Sequence, residues 1–376
     1  MDGAGVSAPA ASACTAAACA ALCSTAAAGV GGRRAGGGGA ERRPPPELPW
    51  ELVEAYLWRL GLARPEAPTV GALRDLTRAH VDRIAYEDLD IHLARPPSSL
   101  QPRATAARVA LEERGGYCFQ LGGAFASLLA SLGFDVFVHR ATVRNSLEDE
   151  GAGPPLLSNP AGVLELNHLA VIVRFERAHG ADLLYLADVG LGDGPSSPVP
   201  LIEGPYDESP FSYAIEKKPW GWRFIHDKQH GSFSHFDLAS DAEATADDFI
   251  ATHQKLSTDP ESSFVKVATA QRRSESAVHV LKRCTLTTVG GVSDGSGGPV
   301  VAVLKDEVAW FGALRDTFGL GFQTVSVEEK GKLWRKVLAD HAAEREKRGE
   351  RGDGQAGAQA AGPGVGEGQG FAARRQ

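Results

Sequence analysis

Apolar residues recur every three to four positions at Leu52, Tyr56, Leu57, Leu60 and Leu62, a spacing that predicts a helix beginning near Pro49. A second helix is predicted after Pro68 and Thr69, where Leu73, Leu76, His80, Val81 and Ile84 share one face. A third is expected over 104–113, stopped by Gly115 and Gly116, and a fourth follows with Phe119, Phe125, Leu128, Leu129 and Leu132 at helical intervals. Beyond Gly133 the pattern changes. Short β-branched or Leu-rich runs over 135–143, 169–174 and 183–189, separated by polar and Gly/Pro stretches, predict strands, and 213–216, 222–226 and 232–236 continue them. A helix over 242–255, strands over 285–289 and 300–304, and a last helix over 327–344 complete the pattern. The order is helical, then β, then mixed α/β, with no internal repeat.

The two ends do not share this patterning. About 24 of the first 40 residues are Ala or Gly, and from Lys347 onward the chain is mostly Gly, Ala, Gln and charge, so neither end can bury a core. The chain of 376 residues has a net charge of −8; each end carries about +2, which leaves about −12 for the middle. An acidic middle excludes the basic face of a nucleic-acid binder, and an anionic ligand would need local positive charge. No run of about 18 apolar residues is present, so no membrane span is expected.

Cys14, Cys19 and Cys23 lie in the Ala-rich tail, leaving Cys118 and Cys284 in the patterned part, where two isolated cysteines read as reduced and intracellular. A cytoplasmic location is expected; the competing reading of the acid-poor N-terminal tail is an organelle transit peptide. Nothing in the tails signals association, and a monomer is expected. No Cys/His cluster has ligand spacing, so no metal is implied.

Cys118 stands in the run Arg114-Gly115-Gly116-Tyr117-Cys118-Phe119-Gln120. The glycines allow a tight turn, and the cysteine falls in the first turn of an apolar helix. Unpaired amides and the positive end of the helix dipole favour a thiolate there and can hold an oxyanion. The plainer reading is a small buried cysteine packed as a hydrophobe, and a nearby base is needed to displace it. His168 opens one predicted strand and Asp188 closes the next. A hairpin centred near Ala178 would set them directly opposite, with Cβ atoms about 5 Å apart, close enough for the carboxylate to hold one imidazole nitrogen and leave the other to a thiol.

Three segments resemble the catalytic motifs of the arylamine N-acetyltransferases: the run from Arg114 to Cys118, Asn167-His168-Leu169, and Leu186-Ala187-Asp188-Val189-Gly190-Leu191-Gly192. Upstream, Pro68-Thr69 and Ile84-Ala85-Tyr86-Glu87-Asp88-Leu89-Asp90-Ile91 look like that family's N-terminal signature; Ser257-Thr258-Asp259-Pro260 with Ser262-Ser263-Phe264 looks like its third-domain one. The resemblance covers roughly Pro49 to Phe322. It implies an α+β fold: an N-terminal helical bundle over 46–132, a central antiparallel β-barrel over 133–240, and a C-terminal α/β lid over 241–346. Disordered tails are expected over 1–45 and 347–376. It also implies a cysteine-protease-like Cys-His-Asp core of Cys118, His168 and Asp188, with Arg114, Gly115 and Gly116 as structural support. Asn167, Gly190, Leu191, Gly192, Ser262, Ser263 and Phe264 become candidates for binding substrate or CoA. The family usually has Asn where this chain has Gly122 or Gly123, and Phe where Leu191 stands. Leu191 is expected to line the amine pocket, so the missing aromatic bears on which arylamine fits. The residues over 145–162, rich in Gly, Pro and acid, are expected to form an inserted surface loop.

The activity implied is acetyl transfer from acetyl-CoA to an arylamine, arylhydroxylamine or arylhydrazine by a ping-pong route through acetyl-cysteine, with acetyl-CoA as acyl donor and no metal. Two other readings keep the same residues: a Cys-His-Asp amide hydrolase or transglutaminase-like enzyme, and a catalytically silent module that binds CoA or aromatic amines.

Overall fold

The computed structural model describes residues 43–93, 95–144, 167–177, 179–291 and 298–356. The tail to residue 42 with its three cysteines, the 145–162 insertion, Ala178 and the end from 357 lie outside the described residues.

Four helices open the chain: α1 (Trp50–Leu60), α2 (Val70–Arg83), α3 (Pro102–Leu111) and α4 (Cys118–Ser131). Their ends follow local chemistry. Gly61 closes α1 in the left-handed conformation at φ +64°, and the Thr69 hydroxyl caps α2 by accepting from the Ala72 N–H at 3.1 Å. Proline begins α3, where no intrahelical donor is needed. Helix α4 is buried from Cys118 to Leu129, and its Leu121, Phe125 and Leu128 share a core with Leu52, Tyr56, Leu60, Leu73 and Leu76. Each such side chain removed from water contributes about 1.5–3 kcal/mol before ordering costs.

Between α2 and α3, Tyr86–Glu87 forms strand β1. The middle of the chain then builds β2 (Asp135–Arg144), β3 (His168–Phe175), β4 (Leu183–Leu186), β5 (Val199–Pro200), β6 (Gly204–Glu208), β7 (Phe211–Lys218), β8 (Gly221–Ile225) and β9 (His235–Glu243). These pair antiparallel in the order β5-β4-β3-β2-β9-β8-β7-β6. The two edge strands are consecutive in the chain, joined only by residues 201–203, so the sheet curls into a near-barrel around Tyr213, Ile215, Phe224, Phe236 and Leu238.

A second antiparallel sheet has the order β1-β10-β11-β12-β13, from β10 (Thr269–Arg273), β11 (Ala277–Lys282), β12 (Thr285–Gly290) and β13 (Val300–Val303). Helices α5 (Ile250–Thr258), α6 (Ser263–Lys266), α7 (Glu307–Asp316) and α8 (Val327–Ala356) accompany it, over a core of Trp310, Leu314, Phe318, Leu333 and Val337. Strand β1 belongs to the helical part of the chain yet forms an edge of this sheet, tying the beginning of the fold to its end.

Several boundaries differ from the sequence expectation. The helix expected over 242–255 starts later, because β9 runs to Glu243 and a 3-10 turn at Ala246–Phe249 precedes α5. Strand β4 stops at Leu186, three residues early, and α8 continues to Ala356, past the expected end of structure at 346. The short polar strands β6 and β10, with β11, α6 and α7, were not anticipated.

Candidate active site

Two glycines set the approach to Cys118. A Cβ at Gly115 would stand 1.9 Å from the Ala85 carbonyl oxygen, so only glycine lets the turn lie against β1, where the Glu87 N–H donates to Gly116 O at 2.8 Å. Arg114 supports this contact from below. Its guanidinium donates to Glu87 at 2.8 Å, lies 3.0 Å from Asp90 and sits over the Phe322 ring; Arg108 joins the same two carboxylates and donates to Gly115 O at 2.9 Å. Burial alone would raise the Glu87 pKa, but the two arginines outweigh it and hold the carboxyl at about 2.

The next residues start α4. The Tyr117 N–H donates to the Gln120 side chain at 3.2 Å, fixing the first turn, and the Tyr117 hydroxyl donates to His253 Nδ1, whose Nε2 faces Ser98 O at 2.8 Å. Gly122 brings the helix down onto the barrel: a Cβ there would be 2.7 Å from Leu169 Cδ2. Leu169 follows His168 in the chain, so this close approach places the N-terminus of α4 over His168.

His168 and Asp188 meet, though not in the predicted register. Strands β3 and β4 pair Ile172 with Leu186, two residues off the expected hairpin, which sets Asp188 beside Ala170 and diagonal to His168. A shift of two preserves the face. His168 Nε2 and Asp188 Oδ2 lie 2.6 Å apart, and Asp188 Oδ1 accepts from the Gly190 N–H at 2.8 Å, so both oxygens of the carboxylate are held. With Nε2 engaged on Asp188, Nδ1 is the ring nitrogen left free for Cys118, which lines the same cavity as His168. The three groups are only 5%, 2% and 4% exposed, for Cys118, His168 and Asp188 respectively. Burial would depress the imidazole pKa, but Asp188, followed by Cys118, outweighs it and lifts His168 from 6.5 to about 10. An imidazolium beside the thiol is the state that this surrounding favours.

Asn167 fixes the other side of the nucleophile. Its side-chain oxygen accepts from the Val143 N–H at 2.7 Å and its amide donates to Val143 O at 3.1 Å, while its backbone carbonyl accepts from the Cys118 thiol at 3.6 Å. The anticipated ligand-binding side chain is therefore engaged in clamping two strands.

Cys118 and His168 open into a cavity of about 510 Å³. Of the binding candidates, Asn167, Gly190, Leu191, Ser263 and Phe264 line it, and Leu191 gives it an aliphatic wall at the position where the family usually has Phe. Ser262 and Gly192 do not. The Ser262 hydroxyl donates to Leu256 O at 2.7 Å and caps α6, and Gly192, at φ +77°, is pressed against Gln271. Lining residues not singled out from sequence include Gln271, Lys282 and Arg283; Tyr86 and Asp88 entered only through the signature around them. Among the described residues no group of three or more His, Cys, Asp or Glu could hold a metal, and no helix is long and apolar enough to cross a membrane.

A family model described as N-acetyltransferase matches residues 69–327. The arylamine N-acetyltransferase of Mycobacterium tuberculosis strain H37Rv is 28% identical over 297 residues, covering 75% of this chain and 93% of that protein. A Salmonella typhimurium arylamine N-acetyltransferase / N-hydroxyarylamine O-acetyltransferase is 33% identical over 193 residues, covering 50% of this chain and 61% of that one. Among solved structures, the arylamine N-acetyltransferase of M. tuberculosis superposes with a TM-score of 0.62 at 27% identity, covering 76% of this chain and 99% of that one. The Mycobacterium marinum enzyme in complex with CoA gives 0.62 at 26% identity, covering 76% and 98%. With the family model spanning both sheets and the cavity between them, the chain belongs to the arylamine N-acetyltransferase family of acyltransferases.

Proposed function

We propose that the protein transfers the acetyl group of acetyl-CoA to the nitrogen of an arylamine, arylhydroxylamine or arylhydrazine by a ping-pong route through acetyl-Cys118. The observation that carries this reading is the buried His168–Asp188 pair, 2.6 Å apart, with Cys118 beside His168 in the lining of a cavity large enough for a small aromatic molecule.

The chemistry follows from the arrangement. The Cys118 thiolate, paired with the His168 imidazolium, attacks the carbonyl carbon of the thioester, and the amides at the start of α4 face the developing oxyanion. The bond to the CoA sulfur breaks and the departing thiolate takes the proton from His168. One thioester replaces another, a nearly even exchange suited to a sulfur nucleophile. The amine then enters the same cavity and attacks the acetyl carbon; the C–Sγ bond breaks, the nitrogen gives its proton to His168, and the ion pair is restored. Asp188 holds the tautomer and balances the imidazolium charge throughout.

Initial rates with acetyl-CoA and an arylamine varied together test this. Parallel double-reciprocal lines, with CoA released before the amine is added, are the expected result; intersecting lines that require both substrates before any product forms would replace the acetyl-enzyme with direct transfer.

A further inference from the structure

Behind the nucleophile, four residues close a ring of hydrogen bonds. The Tyr117 N–H donates to Gln120 Oε1 at 3.2 Å, the Gln120 amide donates to Ser98 Oγ at 2.7 Å, and the Ser98 carbonyl faces His253 Nε2 at 2.8 Å. The Tyr117 hydroxyl closes the ring on His253 Nδ1. Three segments far apart in sequence are joined in this way: the first turn of α4, the stretch before α3, and α5. Cys118 lies between Tyr117 and Gln120 in that turn, yet none of the four lines the cavity into which it opens.

The protons in the ring are assigned by the partners. A carbonyl only accepts, so His253 Nε2 carries its proton toward Ser98, and Nδ1 of the neutral imidazole is left to accept from Tyr117. Burial lowers the His253 pKa, which keeps the imidazole neutral, and raises that of Tyr117, which keeps the hydroxyl a donor. Gly116 makes room for the arrangement, since a Cβ there would stand 2.7 Å from Gln120 Oε1. Tyr117 is packed as well as bonded: its ring centroid lies 5.7 Å from that of His253, at 26°, and 5.2 Å from that of Phe264.

We infer that His253 is a positioning residue for acylation: through Tyr117 it fixes the first turn of α4, and Cys118 with it, against α5. This rests on the acetyl-cysteine reading above and adds to it a residue that does not line the cavity.

The start of α4 needs such a device. The first turn of a helix leaves N–H groups without intrahelical partners, and Tyr117, the residue before the helix, has no short polar side chain to cap them. Gln120 supplies one bond back to the Tyr117 N–H; the remaining orientation comes from the Tyr117 ring, whose buried hydroxyl requires a partner. His253 is that partner. It stands on α5, whose Leu256 lines the cavity together with Phe264 of α6, so one pair of side chains sets both a wall of the cavity and the turn that bears the nucleophile. The sulfur must meet the thioester carbon in close alignment, and a displacement of about 1 Å at such a point can cost on the order of a hundredfold in rate.

The test measures single-turnover acylation of Cys118 by acetyl-CoA, well below the unfolding transition, in the full-length protein and in Tyr117→Phe, His253→Phe and the two combined. Both single changes keep an aromatic ring in place and remove the bond between them. Each is expected to lower the maximal acylation rate about tenfold while the half-saturating acetyl-CoA concentration stays within about twofold, and the combined variant should be no slower than the slower single one. His253→Asn, whose side-chain oxygen can take the place of Nδ1, should recover most of the rate. Ser98→Ala, at a half-buried position, opens the ring on the Gln120 side and should give a smaller loss, so the inference is tested even if His253→Phe folds poorly. An unchanged maximal rate in Tyr117→Phe, additive losses in the combined variant, no recovery with His253→Asn, or a raised half-saturating concentration at full maximal rate would overturn the positioning role. If the unmodified protein takes no acetyl group, the acetyl-transfer reading falls instead; labelling of Cys118 by iodoacetamide, which needs no acyl donor, then still reads the positioning, slower in Tyr117→Phe if the ring holds the turn and unchanged if it does not.

Discussion

Gly190 and Cys118 are in direct backbone contact: a Cβ at residue 190 would lie 2.8 Å from the Cys118 Cα and 3.1 Å from its carbonyl oxygen. The N–H of the same glycine holds Asp188, so one residue sets the spacing of both ends of the Cys-His-Asp chain.

Gly190→Ala is expected to push α4 off the barrel edge. The two atoms nearest the added methyl are both Cys118 backbone atoms that cannot rotate away, so a stability loss of about 1–3 kcal/mol is expected, with a larger proportional fall in kcat. Thermal unfolding and steady-state rates measured together check this; full activity at unchanged stability would show that the contact is slack.

Asp188→Asn should keep the fold and lose most activity. The amide cannot balance an imidazolium and can hold the wrong tautomer, and roughly 10⁴-fold in kcat is the scale of such a change in a comparable triad. Arylamine turnover within tenfold of the unmodified enzyme would remove Asp188 from the mechanism.

The lifted pKa of His168 has a signed consequence for stability. In the unfolded chain the imidazole loses its proton near 6.5, and in the folded protein only near 10. The folded state therefore binds the extra proton between these values. Its stabilising contribution is fully present below about pH 6.5 and is lost as pH rises toward 10. Chemical denaturation at pH 6, 8 and 10 should show the unmodified protein losing stability relative to His168→Gln across that window; parallel behaviour of the two would contradict the ion pair.

Alkylation separates the two cysteines of the described fold. Cys118 faces an imidazolium at a helix start, whereas Cys284 is wholly buried, and burial pushes its thiol up. Iodoacetamide at neutral pH should label Cys118 much faster than Cys284, by peptide mapping. Equal slow labelling would argue against an activated thiolate.

The helical bundle was readable because α1 and α2 bury one stripe each and α4 is apolar enough to be buried all round, and the long strands because β2 and β3 are runs of β-branched and apolar residues, β3 being buried without a break from His168 to Val173. The second sheet was harder. Strand β10 buries Ala270, Gln271 and Arg273 while Thr269 and Gln271 face the cavity, so its alternation is polar on both faces and gives no apolar period. In α8 the residues 345–349 are all exposed, so that stretch likewise has no buried face to announce it. At the site, residue types and order indicated that Cys118, His168 and Asp188 would converge, but the hairpin register was set by the loop around 179, which hydrophobic pattern does not encode. Lys282 and Arg283 could not be found from sequence because only the pairing of β10 with β11 carries them to the cavity.

The most direct test of the Cys118 mechanism is the intact mass of the protein after incubation with acetyl-CoA and no amine, followed by peptide mapping. One acetyl group on Cys118, absent in Cys118→Ser and discharged when an arylamine is added, is the predicted result. An enzyme that turns over arylamine yet acquires no acetyl group on Cys118, or acquires one elsewhere, would contradict it.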